Sequence, residues 1–523
     1  MNKIIRAGAI AATAVMALAC TKSFEKFNTN PDAVQEVDAK SYITTMQMDA
    51  VIPCSDVGAN AYQRACDLIG NGYAGYFAPC QQFGGGNYTL TYALDAMDYN
   101  NVPFEMAFTN VMPAWLNLRI AYENEQVDED IFAVAEVIKV FCLQQTTDIY
   151  GPIPASHFGE DVNPYDSQEQ VYMDLMEDLD AALDILSNYN TLTSPQLAKV
   201  DAIFAGDYSK WYKLANSEKL RIAVRLRHIL PAQAKTWAEE AVAAGVMETS
   251  GDGAWLKSTG SVTVKNPSYV SWHDYVDFRM GATMDSYLNG YADPRLPKYF
   301  SVATIDEGGY HGIRCGIANM QADNDPDYTV LSCPNINADD PVIWMLASEV
   351  AFLKAEGALI GWNMGGSAKD FYHKGIELSF EERGLTAGAA AEYYTNNSNV
   401  PANFVDCSLG SATNSYNMSV SITPTWGDSA SEEQNLERII TQKWIALYPN
   451  GQEAWSEFRR TGYPRIIPIV DNRSNGVINT NTQVRRMTFP RSEYSNNLAQ
   501  VQAAATLLGG DDTGATRLWW DCK

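Results

Sequence analysis

Hydrophobic positions recur with a helical period over much of the chain. Ile131, Val134, Ala135, Ile138, Phe141 and Cys142 follow the i, i+3, i+4, i+7 spacing of one helix face, behind the acidic N-terminal run Asp128-Glu129-Asp130. Ser167 opens a second helix, with Glu169 early and Val171, Leu175, Leu179, Leu183 and Leu186 down one side. A third spans residues 208–230. Residues 346–362 and 367–383 form a pair broken by Asn363-Met364-Gly365-Gly366, and residues 433–448 and 451–460 form another. The pattern predicts a mainly α protein assembled from helical pairs.

The run Ala368-Lys369-Asp370-Phe371-Tyr372-His373-Lys374-Gly375-Ile376-Glu377-Leu378 matches the second helix of a tetratricopeptide unit. Spacing between the pairs is irregular, so the scaffold is a degenerate tetratricopeptide-like array and not a regular solenoid. Two long segments interrupt it. Residues 73–99 hold seven aromatics in 27 and residues 269–310 nine in 42, against 11% overall, with Gly and Asn interspersed. Long loops richer in aromatics than a core requires point to binding. Sugars and peptides stack their CH faces on such rings while amides and guanidinium groups take the polar edges. The candidate ligand residues are therefore Tyr76, Gln81, Phe83, Asn87 and Tyr88 in the first segment, and Trp272, Tyr275 and Arg279 in the second. The alternative for Trp272 and Tyr275, about one helical turn apart, is packing.

Length and charge narrow the picture. The chain has 523 residues, 46% hydrophobic and 19% charged, a globular composition. A net charge of −26 argues against nonspecific attachment to nucleic acid or anionic lipid, both of which need a basic face. Lys3 and Arg6 precede an apolar stretch, Ala7 to Ala19, too short to span a bilayer and suited to an export signal. Cys20 then stands where a bacterial lipoprotein is diacylated, which gives a stable anchor without a transmembrane helix. The expected organisation is a signal peptide over 1–19, a lipidated tether over 20–40 and a binding domain over 41–523. Eight further cysteines contain no C-x-x-C pair, which disfavours a zinc ribbon. Export permits local disulfides, with connectivity open.

Catalytic readings fare worse. Gly70-Asn71-Gly72-Tyr73-Ala74-Gly75 fits G-x-G-x-x-G, but no β-branched strand precedes it and Pro79 follows where a helix should run. The five histidines have no ligand spacing, and Ala430-Ser431 breaks the nucleophile turn that Gly427-Asp428-Ser429 begins. Asp323-x-Asp325-x-Asp327 starts like a calcium loop, yet Tyr328 occupies the glycine position and no Glu closes it. Calcium is thus the one ion with any sequence support, and no other cofactor is expected. Carboxylate pairs for glycoside hydrolysis are not excluded by counting.

A series of motifs runs in order along the chain: Phe24-x-x-Phe27-Asn28-Thr29-Asn30-Pro31, Asp148-Ile149-Tyr150-Gly151-Pro152, Leu214-Ala215-Asn216-Ser217-x-x-Leu220-Arg221 and Asp293-Pro294-Arg295-Leu296-Pro297. It continues through Ser348-Glu349-Val350-Ala351-Phe352-Leu353-Lys354-Ala355-Glu356, Glu453-Ala454-Trp455-Ser456-Glu457-Phe458-Arg459-Arg460-Thr461-Gly462-Tyr463-Pro464 and Leu518-Trp519-Trp520-Asp521. In these motifs the chain resembles the SusD/RagB family of nutrient-binding outer-membrane lipoproteins over nearly the whole mature length. The cysteine count departs from the family. The resemblance implies four tetratricopeptide-like units, a loop-rich ligand-binding half and lipid anchorage on the cell surface. It also implies a SusC-type TonB-dependent transporter as partner, and capture of oligosaccharides or peptides without chemistry. The shared motifs look structural, with Arg459, Arg460 and Tyr463 bracing helix ends. The rival classes are a surface glycoside hydrolase and a structural interaction protein without a small ligand.

Overall fold

A computed structural model describes residues 38–55, 60–306, 308–317, 327–408 and 412–523. The export signal, Cys20, most of the tether and the acidic positions Asp323 and Asp325 lie outside the described residues. The structure is mainly helical, as the sequence pattern requires. Helix α1 (Ser41–Asp49) lies against α2 (Met112–Glu123) and α3 (Glu129–Tyr150), and α3 pairs with α4 (Gln168–Ser187). Helix α5 (Tyr208–Leu226) pairs with α6 (Pro231–Ala244). Beyond α7 (Ala282–Tyr291), α8 (Ala347–Leu359) pairs with α9 (Ala368–Glu381), and α10 (Ala387–Tyr394) packs on α9. The last pair is α11 (Glu432–Leu447) with α12 (Gly451–Thr461). Contacts of α4 with α5, and of α8 with both α5 and α11, join the four pairs into one body.

Local chemistry sets the helix ends. Ser167 and Ser367 cap α4 and α9 by accepting from the backbone N–H groups of Gln170 and Asp370, at 3.1 Å each. Ser431 and Gln434 form a reciprocal capping box on α11. Asp128 precedes α3 as expected, but its side chain makes no capping bond, so the acidic run acts there through charge near the helix N-terminus.

The helical pairs meet over a buried ionic network instead of an all-apolar seam. Arg221 on α5 donates two N–H groups to Glu349 on α8, at 2.9 Å each. Arg225 reaches Glu453 and Glu457 on α12 at 2.6 and 2.7 Å, and Arg460 forks onto Glu356 at 2.6 and 2.7 Å. Such groups are tolerated away from water only when each has its partner, so the network fixes how the pairs stack. Arg459 lies 3.6 Å over the Trp455 ring and donates to the Asp148 and Arg485 carbonyls, while the Tyr463 hydroxyl donates to Glu433.

Strands are few. β1 (Phe77–Pro79) pairs antiparallel with β3 (Phe278–Met280), and β2 (Ala254–Leu256) with β4 (Val342–Met345). Nothing in the hydrophobic pattern predicts these short pairings, of which β1 with β3 joins the two aromatic-rich segments. All eight described cysteines are free thiols, and burial pushes the Cys142 thiol up to about 12. No described helix is long and apolar enough to cross a membrane.

Candidate functional site

The first strand pair brings the two aromatic segments together. Phe77 stands opposite Met280, Ala78 opposite Arg279 and Pro79 opposite Phe278. Past the pairing, the Cys80 N–H donates to the Asp277 carbonyl at 2.8 Å and the Gln81 amide to the Val276 carbonyl at 3.0 Å. The two aromatic segments thus meet in one platform, joined at residues 80–81 and 276–277. A wide π-type helix, Gln63–Asn71, holds it from beneath. The buried Asp67 accepts from the Ser271 hydroxyl at 2.6 Å and from the Asn71 amide at 2.8 Å, and the Gln63 amide donates to Asp277. Burial raises Asp67 to about 7 and Asp277 to about 6.

Glycine is required at the rim. Gly84, Gly85 and Gly86 have φ of +51°, +61° and +89°, and a Cβ on Gly86 would fall 2.5 Å from the Arg473 guanidinium. That guanidinium lies across the turn, donating to the Gly85 carbonyl at 3.0 Å. The literal G-x-G-x-x-G has a packing cause: a Cβ on Gly70 would meet the Gln452 backbone N at 2.7 Å, where α12 begins.

The eight candidate residues divide. Tyr76 is fully buried between Trp444 and Tyr448, with its hydroxyl on the Trp444 carbonyl. Tyr88 is buried and Arg279 is 4% exposed, the latter held by the Thr329 and Phe278 carbonyls at 3.0 and 2.8 Å. These three support the platform from inside and do not face solvent. Phe83 is half-buried, its ring 5.8 Å from Tyr88 and 5.7 Å from Phe278. Asn87 is exposed, Gln81 half-buried, and Tyr275 stands 39% exposed. Trp272 is half-buried, its indole N–H on the Ile336 carbonyl at 3.0 Å.

Four neighbours stand outside the candidate set: Lys265, Tyr269, His273 and Asp274. Tyr269 stacks on His273 with centroids 4.4 Å apart and meets Trp272 edge-on at 5.8 Å. Lys265 and His273 both bond Asp274, at 3.0 and 2.9 Å. The i, i+4 spacing of Tyr269 and His273 could have flagged the stack. Asp327 of the calcium-like run bonds Thr329 N–H at 2.9 Å as the cap of a short turn. Among the described residues no group of three or more His, Cys, Asp or Glu could hold a metal ion.

Comparison with known proteins places this architecture. Residues 25–521 match the SusD-like family, described as Susd and RagB outer membrane lipoprotein. A solved SusD homolog from Bacteroides thetaiotaomicron is 38% identical, with a TM-score of 0.84, over 93% of this chain and 100% of its own. A SusD homolog from Bacteroides uniformis is 35% identical, TM-score 0.85, over 94% and 100%. A chitin-binding SusD homolog from Flavobacterium johnsoniae is 34% identical, TM-score 0.86, over 93% and 99%. No functionally curated protein matches. With the family match running through all four helical pairs and both aromatic segments, the chain belongs to the SusD-like family of outer-membrane lipoproteins.

Proposed function

We propose that this protein is a non-catalytic surface receptor that captures oligosaccharides and hands them to a SusC-type TonB-dependent transporter. The observation that carries the reading is the platform where the β1–β3 pairing joins the two aromatic segments. The first segment contributes the half-buried Phe83 with Gln81 and Asn87, and the second contributes Tyr269, Trp272 and Tyr275, the mixture of rings and polar groups that binds sugars. Family membership supports binding over turnover, and the chitin-binding relative makes chito-oligosaccharides the first ligands to try. Anchorage is assigned to Cys20, with residues 20–40 as tether and 41–523 as the binding body.

The test of the partnership is a mild-detergent pull-down of the full-length protein, with Cys20→Ser alongside, read by mass spectrometry. A large TonB-dependent barrel recovered in comparable amount, with lipid on the wild type and none on Cys20→Ser, is the expected result. A lipidated monomer without the barrel would overturn the transporter role.

A further inference from the structure

A second cavity borders the platform, sharing Ile336, whose carbonyl accepts the Trp272 indole N–H. It has a volume of about 290 Å³ and opens between the 266–268 and 335–343 segments and the ends of α9 and α11. Its volume stands at the lower end of small-molecule sites, room for one ring-sized ligand and not for a polymer. Tyr62, Trp255, Tyr299 and Tyr448 line it. The Tyr299 and Tyr448 hydroxyls are committed to the Ile445 and Tyr299 carbonyls and both rings are 1% exposed, packed on each other at 4.5 Å, so they form the floor, while the half-buried Trp255 offers ring surface.

The charged groups on the wall are not equivalent. Glu382 is occupied on both oxygens by Ser348, through its N–H at 3.0 Å and its hydroxyl at 2.6 Å, and burial pushes its carboxyl up to about 7. Asp340 accepts the Asn337 N–H at 2.7 Å. The cations are less engaged. Arg383 gives one N–H to the Tyr448 carbonyl and lies 5.0 Å over the Tyr299 ring. Neither Arg383 nor Lys298 is ion-paired among the described residues. Lys298 and Asn335 are both exposed, at the mouth. Spare N–H donors of two cations facing one aromatic-walled space suit an anion carried on a ring.

We propose that this cavity binds a single carboxylate-bearing sugar, the carboxylate on Lys298 and Arg383 and the ring against Trp255. The cavity touches the platform only where Trp272 meets Ile336, so Asn87, on the other aromatic segment, separates the two readings.

Isothermal titration of the full chain with glucuronate, glucose and acetate tests it, using Lys298→Gln, Arg383→Gln and the platform variant Asn87→Ala. Glucuronate is expected to bind saturably below about 10 mM, with glucose and acetate each at least about tenfold weaker. Lys298→Gln, an exposed change, should weaken glucuronate about tenfold, and Arg383→Gln at least as much, while Asn87→Ala leaves it unchanged. A thermal melt identifies an Arg383→Gln sample that has lost its fold, in which case Lys298→Gln decides. Absence of saturable glucuronate binding, equal binding of glucose or acetate, or full affinity in Lys298→Gln would overturn the proposal.

Discussion

Tyr88 and Tyr275 look alike in the sequence, both aromatic residues in Gly- and Asn-rich loops, yet the structure gives them opposite duties. Tyr88 is 5% exposed and packs on Phe83, whereas Tyr275 is 39% exposed on the platform. Replacing Tyr88 by Ala empties a buried ring site and should cost about 3–4 kcal/mol of stability. Tyr275→Ala should leave the melting temperature within about a degree and weaken oligosaccharide binding by about 1 kcal/mol, the scale of an aromatic contact. Paired melts and titrations check both, and a destabilised Tyr275→Ala with normal binding would reverse the assignment. Composition located the aromatic segments but not which rings point outward. That choice is made by the 77–79/278–280 pairing, a contact about 200 residues apart in sequence that local periodicity cannot reveal.

At the scale of elements, the platform depends on how the Gln63–Asn71 helix grips the 270–277 segment. Asp67 is central to this grip, and its carboxyl keeps a proton to about pH 7 in the folded state, against an ordinary 3.8. Between those values the folded protein binds more protons than the unfolded chain, so raising the pH favours unfolding. The wild type should therefore lose stability relative to Asp67→Asn as pH rises from about 4 to about 7, at up to about 1.4 kcal/mol per pH unit. Denaturant melts across that range read the difference, and parallel curves would show that Asp67 does not titrate there. The helices flanking this region were legible from sequence because their caps and apolar stripes are local: Ser167 marks a start that the structure keeps, and the helices expected from 367 and 433 begin at Ala368 and Glu432. The π-type helix was not, because its polar residues, Gln63, Asp67 and Asn71, face inward to partners supplied by distant segments.

For the whole molecule, the family motifs and the candidate site divide the labour. Arg221, Glu349, Glu356, Glu453, Glu457 and Arg460 meet in the buried ionic network that stacks the helical pairs, which is why these motif residues carry no direct information about ligand. We assign binding instead to the irregular segments, where loop glycines, a single strand pairing and a clamped arginine shape the surface. The central claim is that this surface captures oligosaccharides without cleaving them. Its most direct test is calorimetric titration of the full chain with chito-oligosaccharides of increasing length, with reducing ends assayed in the recovered sample. The account predicts saturable binding that strengthens with chain length, falls in Tyr275→Ala and releases no new reducing ends. Absence of binding across a glycan panel, or steady release of reducing ends, would contradict it.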